Sequence, residues 1–168
     1  MPHKALANLL SWTIRELSGD PRTVVAQFTA LSFDVSAQEI LSALVAGKTV
    51  AVPDDEIRRD PNEFVRWLDQ HQVNELFAPT LVLDMVCAAA LRDGRALPRL
   101  RELVQAGEAL VPSEAIKAFC AAVPGRRLHN HYGPAETHVM TSGALPEDVG
   151  AWPVVAPIGK PVDNARVY

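Results

Sequence analysis

The chain has 168 residues, 48% of them apolar and 21% charged, with a formal net charge of −4. That length and apolar content suffice for one domain with its own hydrophobic core and exclude a disordered chain. The acidic balance argues against a nucleic-acid-binding surface, which would carry a basic patch, and no apolar run reaches the roughly 18 residues a membrane span needs.

Residues 4–17 place Leu6, Leu9, Leu10, Thr13, Ile14 and Leu17 at helical spacing, and Ser18-Gly19-Asp20-Pro21 stops that helix. The β-branched stretch 23–29 predicts a strand. Ser36 is expected to cap a helix running to about Ala46, with Glu39 completing a capping box and Gly47 ending it. Residues 48–52 predict a short buried strand closed by Pro53-Asp54-Asp55. Asp60-Pro61-Asn62-Glu63 opens a helix with Pro at its first position, its inner face carrying Phe64, Val65, Trp67 and Leu68. A strand is expected over 73–78, then a helix from Pro79-Thr80 to about Leu91, ended by Asp93-Gly94. A strand over 103–106 leads to a helix begun by Pro112-Ser113-Glu114. Pro124-Gly125 turns the chain into a strand over 127–131, and another is expected near 139–143. Beyond it, Pro146, Pro153, Pro157 and Pro161 predict irregular structure.

Strands alternating with helices predict an α/β fold, a mostly parallel sheet flanked by helices. In such sheets ligands gather at the carboxyl ends of the strands. Phe33-Asp34, Ala78-Pro79, Ala106-Gly107-Glu108 and Tyr132-Gly133 all fall at such ends. Cys87 and Cys120 sit in separate helical patterns and read as small buried residues in a reducing, cytoplasmic setting. The opening Met1-Pro2-His3-Lys4 starts an amphipathic segment rather than a signal peptide. The Arg58-Arg59 and Arg126-Arg127 pairs read as solvated loop charges, Glu114 and Lys117 as an exposed helical pair, and Trp12, Trp67 and Trp152 as packing anchors.

Within Leu128-His129-Asn130-His131-Tyr132-Gly133-Pro134-Ala135-Glu136-Thr137-His138, an aromatic ring, a tight Gly-Pro turn and a carboxylate stand close together. These are parts a nucleotide site needs: a flat ring for the base, a bend for close approach and an acid for Mg²⁺. Tyr132 reads either as a stacking ring or as a core residue. Asp34 reads either as a helix cap or as a carboxylate for a substrate ammonium in a partly dry pocket. A zinc site at His129, His131 and His138 is rejected, because no fourth ligand has suitable spacing. No Gly-x-Ser-x-Gly elbow, Walker phosphate loop or dinucleotide fingerprint is present.

Together with Leu31-Ser32-Phe33-Asp34-Val35-Ser36-Ala37-Gln38-Glu39, the Tyr132 motif resembles those of adenylate-forming, AMP-binding enzymes. The likeness is specifically to the adenylation domains of nonribosomal peptide synthetases. It covers nearly the whole chain, from Pro2-His3-Lys4 to Pro157-Ile158-Gly159-Lys160-Pro161. It implies a flavodoxin-like subdomain over 1–145 that binds amino acid and adenine, and an irregular Pro-rich segment over 146–168 leading into the next subdomain. It also implies a central portion of the domain, cut at both ends. The phosphate loop, the ribose-binding acid and the lysine of the small C-terminal domain are then missing, and the segment alone is expected to have little or no activity and to risk self-association through uncovered apolar faces.

Carried over by motif, the resemblance implies an amino-acid pocket of Asp34, Val35, Gln38, Leu76, Val104, Ala106, His131, Val139 and Met140, with Asp34 holding the amine. It implies nucleotide contacts from Gly107, Glu108, Asn130, Tyr132, Gly133 and Glu136, with Glu136 on Mg²⁺ when ATP and Mg²⁺ bind the intact domain. The set is mostly apolar with one acid. The combination of Val35, Gln38 and His131 resembles pockets that select L-proline, and pipecolate or a methylated proline differs by only about 1–3 kcal/mol per methylene. Ala135 departs from the Thr common at this position and so lacks a hydroxyl for the α-phosphate, a contact worth about 1.5–3 kcal/mol. Implied partners are the remaining adenylation subdomains and a carrier protein. The alternatives are a non-catalytic flavodoxin-like binding module and a fragment of an acyl- or aryl-CoA ligase, whose substrates give no reason for an acid at position 34.

Overall fold

The short apolar runs pair side by side into one sheet. In the computed structural model, which describes residues 1–17 and 19–167, these are β1 (Val24–Ala26), β2 (Thr49–Ala51), β3 (Glu75–Phe77), β4 (Glu102–Ala106) and β5 (Arg127–Tyr132). They lie parallel in the order β2-β1-β3-β4-β5, and β6 (Thr141–Ala144) and β7 (Lys160–Pro161) extend the β5 edge antiparallel. The helices are α1 (His3–Glu16), α2 (Val35–Val45), α3 (Asp55–Arg59), α4 (Pro61–Gln70), α5 (Thr80–Arg92) and α6 (Glu114–Ala121). The mostly parallel sheet flanked by helices is therefore the architecture found. Ser18, part of the expected helix stop, lies outside the described residues.

Strand side chains alternate between faces, and the core divides accordingly. Leu76, Leu103 and Leu128 pack with Phe64 and Leu68 of α4, Leu83 and Cys87 of α5, and Ile116 and Phe119 of α6. Their strand neighbours Phe77 and Val104 pack with Val25, Leu17 and Ala43 of α2 on the opposite face. That second face also buries charge. Lys48 donates to Glu75 at 2.6 Å, and the Glu102 carboxylate accepts from Arg127 at 2.7 Å and lies 2.7 Å from His129 Nε2.

Several helix ends follow local chemistry. Asp60 caps α4 by accepting from Asn62 N–H at 2.8 Å, with Pro61 next, and Ser113 caps α6 by accepting from Ile116 N–H at 3.2 Å. Gly94, at φ +65°, follows α5 in the left-handed conformation that glycine permits. Cys87 and Cys120 are free and buried, and the Trp67 ring stacks between Phe64 and His71.

Four expectations need correction. Ser36 does not cap α2: its hydroxyl donates to Phe33 O at 2.7 Å, while Asp34 Oδ1 accepts from Val35 N–H at 2.9 Å. Glu39 completes no capping box, because its carboxylate is drawn under the sheet end by Thr29 N–H, Thr29 Oγ1 and Gln27 Nε2. Asp55 belongs to a short helix, α3, rather than a turn. Its acidic first turn (Asp55, Glu56) and basic last turn (Arg58, Arg59) complement the helix dipole, but five residues are too few to show a period. Arg126 is not solvated: it is 4% exposed and donates to the carbonyls of Leu100 (2.8 Å), Ala96 (2.6 Å), Leu97 (2.7 Å) and Phe119.

β6 begins two residues later than expected, because Val139 is buried against Leu9, Trp12 and Val162 instead of entering the sheet. The Pro-rich segment is largely irregular yet tightly joined to the sheet. Ala156 N–H donates to Leu110 O at 2.8 Å, Val162 N–H donates to Met140 O at 2.9 Å, and Ala156 sits in the main core. At Gly159, φ is +80° and a Cβ would overlap the Ser142 carbonyl, so only glycine lets β7 approach β6 this closely.

Candidate functional site

Two cavities open side by side at the carboxyl ends of the strands. The first, about 310 Å³, is walled by Phe33, Asp34 and Val35 after β1, Ala78 and Pro79 after β3, and Ala106 after β4. The second, also about 310 Å³, is walled by Asn130, Tyr132 and Gly133 of the β5 end and by Val155, Ala156 and Ile158 of the Pro-rich segment. Gly107 and Glu108 line both, so the two cavities meet at the β4 end. A larger cavity, about 700 Å³, lies at the amino ends of the strands, between an Asp20–Arg22 ion pair and Arg99 and Arg101. No helix begins there after a strand to present loops and N–H groups, and the carboxyl ends are the chemically equipped pole of this sheet type.

Strand alternation distributes the expected pocket residues. Register places Val104 beside His129 and Ala106 beside His131, so Val104, Ala106 and His131 share the α1/α2 face. Asp34 and Val35 come to the mouth of the first cavity. Gln38, fully buried, donates from Nε2 to Thr13 Oγ1 at 2.9 Å on that same side. Val139 is buried with Trp12, and Met140 follows it half-buried. Leu76 is not brought to them: it lies in the core on the other face, and Phe77, in register with Val104, occupies this one. The Phe77 ring meets the His131 ring edge-on at 6.4 Å, and Trp12 lies 5.3 Å from His131 on its other flank. Burial between these rings holds the His131 pKa down to about 3, so the imidazole is neutral.

Of the nucleotide residues expected from the motif, Gly107, Glu108, Asn130, Tyr132 and Gly133 line the second cavity, and Glu136 does not. Tyr132, 53% exposed, is part of its wall. Gly107 has φ +99°, a left-handed backbone that other residues rarely adopt. Glu108 carries a further task, accepting from Leu81 N–H at 3.2 Å at the start of α5. Asn130 Nδ2 donates to Pro157 O at 3.0 Å and so fixes the cavity's far wall. Glu136 is exposed on the loop after Gly133. Among the described residues no group of three acidic, His or Cys side chains forms a metal cage. A lone carboxylate suits Mg²⁺ that takes its other ligands from phosphates and water.

Sequence reasoning missed Thr29 in the first cavity, Phe77 against His131, and Val155 and Ile158 in the second. The apolar residues interleaved with prolines after Pro153 were the available signal, since Val155 and Ile158 remain 55% and 45% exposed.

Glu39 ties Thr29 to α2 beneath the cavity mouth, and burial raises its carboxyl pKa from 4.5 to about 7. Between those values the unfolded chain is ionised while the folded chain keeps the proton. The stability from this group is therefore full below pH 4.5 and is lost as pH rises through about 7, a change on the order of 3 kcal/mol. Glu39→Gln should flatten the fall in Tm between pH 5 and 8. Parallel Tm-versus-pH curves for the two proteins would overturn this assignment.

All of the chain, residues 1–168, matches the family model described as AMP-binding enzyme, and the chain belongs to that family. It is 33% identical over 173 residues to tyrocidine synthase 2 of Brevibacillus parabrevis, covering 100% of the chain and 5% of that protein. It is 32% identical over 166 residues to the L-proline--[L-prolyl-carrier protein] ligase of Streptomyces coelicolor, covering 97% of the chain and 31% of that protein. The fold superposes on the nonribosomal peptide synthetase FmoA3, in its alpha-methyl-L-serine-AMP-bound form, with a TM-score of 0.86 and 25% identity, covering 98% of this chain and 19% of that one. The chain thus spans a small part of each protein it resembles.

Proposed function

We propose that this chain is the amino-acid-selecting part of a nonribosomal peptide synthetase adenylation domain, and that the amino acid is L-proline or a close analogue. The parent reaction is amino acid plus ATP to aminoacyl-AMP and pyrophosphate, followed by transfer to a carrier-protein thiol in the cytoplasm. The observation that carries the reading is the pair of adjoining cavities sharing Gly107 and Glu108, with Asp34 at the mouth of one and Tyr132 in the other. In this reading one cavity takes the aminoacyl group and the other the adenine, with the phosphate that joins them at the shared Gly107 and Glu108.

In this reading Asp34 pairs with the substrate amine, and the pair gains strength from the partly dry cavity. Neutral His131, Gln38, Val35, Phe77 and Val104 supply a mostly apolar enclosure that offers nothing to a charged side chain. The similarity to the prolyl-carrier ligase supports proline. Tyr132 stacks on adenine. Glu136 holds Mg²⁺, which when bound neutralises phosphate charge. Ala135 offers no hydroxyl to the α-phosphate. The chain carries no phosphate loop or catalytic lysine motif, so by itself it has little activity.

The test is amino-acid-dependent ATP–pyrophosphate exchange by a complete adenylation domain carrying this segment, across a panel of amino acids. Exchange should peak with L-proline and fall by about tenfold or more in Asp34→Ala, the scale expected when one charge-assisted hydrogen bond is removed. A peak with an acidic, aromatic or non-amino carboxylic acid would sink the proline assignment.

A further inference from the structure

We propose that His138 is a bolt between the two halves of the site: a positioning residue that holds the Asp34 turn against the loop carrying Glu136. The proposal rests on reading Asp34 as the amine anchor.

His138 is 3% exposed and adopts φ +60°, a left-handed conformation that costs a residue with a Cβ about 1 kcal/mol. The surrounding contacts enforce it. Its N–H donates to Pro134 O at 2.9 Å, and the next turn is closed by Met140 N–H donating to Tyr132 O at 2.8 Å. Its carbonyl occupies the space a Cβ on Gly133 would need.

This backbone aims the imidazole away from its own loop. Val139 N–H donates to Nδ1 at 2.8 Å. A backbone amide can only donate, so Nδ1 is the acceptor and the neutral ring carries its proton on Nε2. Nε2 lies 2.9 Å from the carbonyl oxygen of Asp34, 104 residues away in sequence. That oxygen also accepts from Ala37 N–H at 3.0 Å in the first turn of α2. The Asp34 side chain is fixed on its own Val35 N–H. One imidazole therefore clamps the backbone from which the carboxylate projects, and its other nitrogen is held by the β5–β6 connection. The amine anchor and the Glu136 loop are tied into one rigid unit. Asp34 itself is exposed at the cavity mouth, where a short turn without such a tie would be free to reorient.

The experiment is steady-state ATP–pyrophosphate exchange in a complete adenylation domain carrying this segment, with His138→Asn, His138→Gln and, as reference, Asp34→Asn. Asparagine tolerates the left-handed backbone and can accept from Val139 N–H, but it is too short to reach Asp34. Glutamine can reach the Asp34 carbonyl. His138→Asn should raise the KM for the amino acid about tenfold, the loss of one buried hydrogen bond, with kcat and the KM for ATP unchanged and Tm lowered by a few degrees. His138→Gln should recover part of that KM at a lower Tm. If His138→Asn keeps the wild-type amino-acid KM while Asp34→Asn loses exchange, the bolt is refuted and the Asp34 reading stands. A His138→Asn effect spread over both KM values and kcat would mean a merely structural histidine and would also refute it. Undiminished exchange in Asp34→Asn would overturn the amine-anchor reading on which the proposal depends.

Discussion

Gly133→Ala is expected to abolish amino-acid-dependent exchange in a complete adenylation domain carrying this segment. The cause is steric and involves backbone alone. An added Cβ would overlap the His138 carbonyl oxygen and stand 2.8 Å from its carbon and 2.9 Å from Met140 N. No side chain is available to swing aside, so the 134–138 loop must move. Moving it breaks Met140 N–H to Tyr132 O and pulls His138 Nε2 away from Asp34 O. Both cavity walls then shift, and a displacement of about 1 Å at reacting groups costs on the order of a hundredfold in rate. The measurement is exchange at saturating ATP and amino acid, with circular dichroism confirming that the domain still folds. A folded Gly133→Ala protein with wild-type exchange would show that the loop geometry is dispensable.

Arg126→Met is expected to be the most destabilising single change outside the site. Its guanidinium satisfies carbonyls from the turn after α5 (Ala96, Leu97, Leu100) and from the last turn of α6 (Phe119), and its plane lies 3.7 Å over the Phe119 ring. Leu97 holds φ +45°, an unfavourable backbone that helps aim its carbonyl at this cation. Burial lowers the Arg126 pKa to about 10, which still leaves it fully charged at neutral pH. Methionine fills much of the volume but leaves several buried acceptors without donors, a loss of at least about 3 kcal/mol. Thermal unfolding should show a Tm lowered by roughly 6–12 °C for a protein of this size. Arg126→Lys, with its donors on one atom instead of a planar fork, should recover only part of the loss. A Tm within about 2 °C of wild type for Arg126→Met would refute the assignment.

Arg126 also marks where reading the chain alone fails. Two adjacent arginines after Pro-Gly look like solvated turn charges, and nothing local reveals that carbonyls some 26 to 30 residues earlier converge on one of them. Glu39 misled in the same way: its spacing from Ser36 fits a capping box, but donors from Gln27 and Thr29 won, because a buried carboxylate goes where several donors converge. Leu76 and Phe77 show a third limit. Both are apolar and fully buried, and their pattern does not say which faces α2. Only the pairing of Phe77 with Val104 decides it.

The sequence by itself determined the order of strands and helices apart from α3 and β7, the caps at Asp60 and Ser113, the glycine stop after α5, and the placement of Asp34, Gly107 and Tyr132 at strand ends. These depend on hydrogen bonds and backbone preferences within a few residues, so neighbouring residue types carry the information. The tertiary structure alone decided that those strand ends form two adjoining cavities, that Val155 and Ile158 wall one of them, that Phe77 rather than Leu76 shares a face with Val104 and His131, and that His138 reaches Asp34. Each depends on sheet register and on contacts between distant segments. A strand's period of two fixes which residues share a face but leaves open which face meets which helix until the whole sheet is assembled.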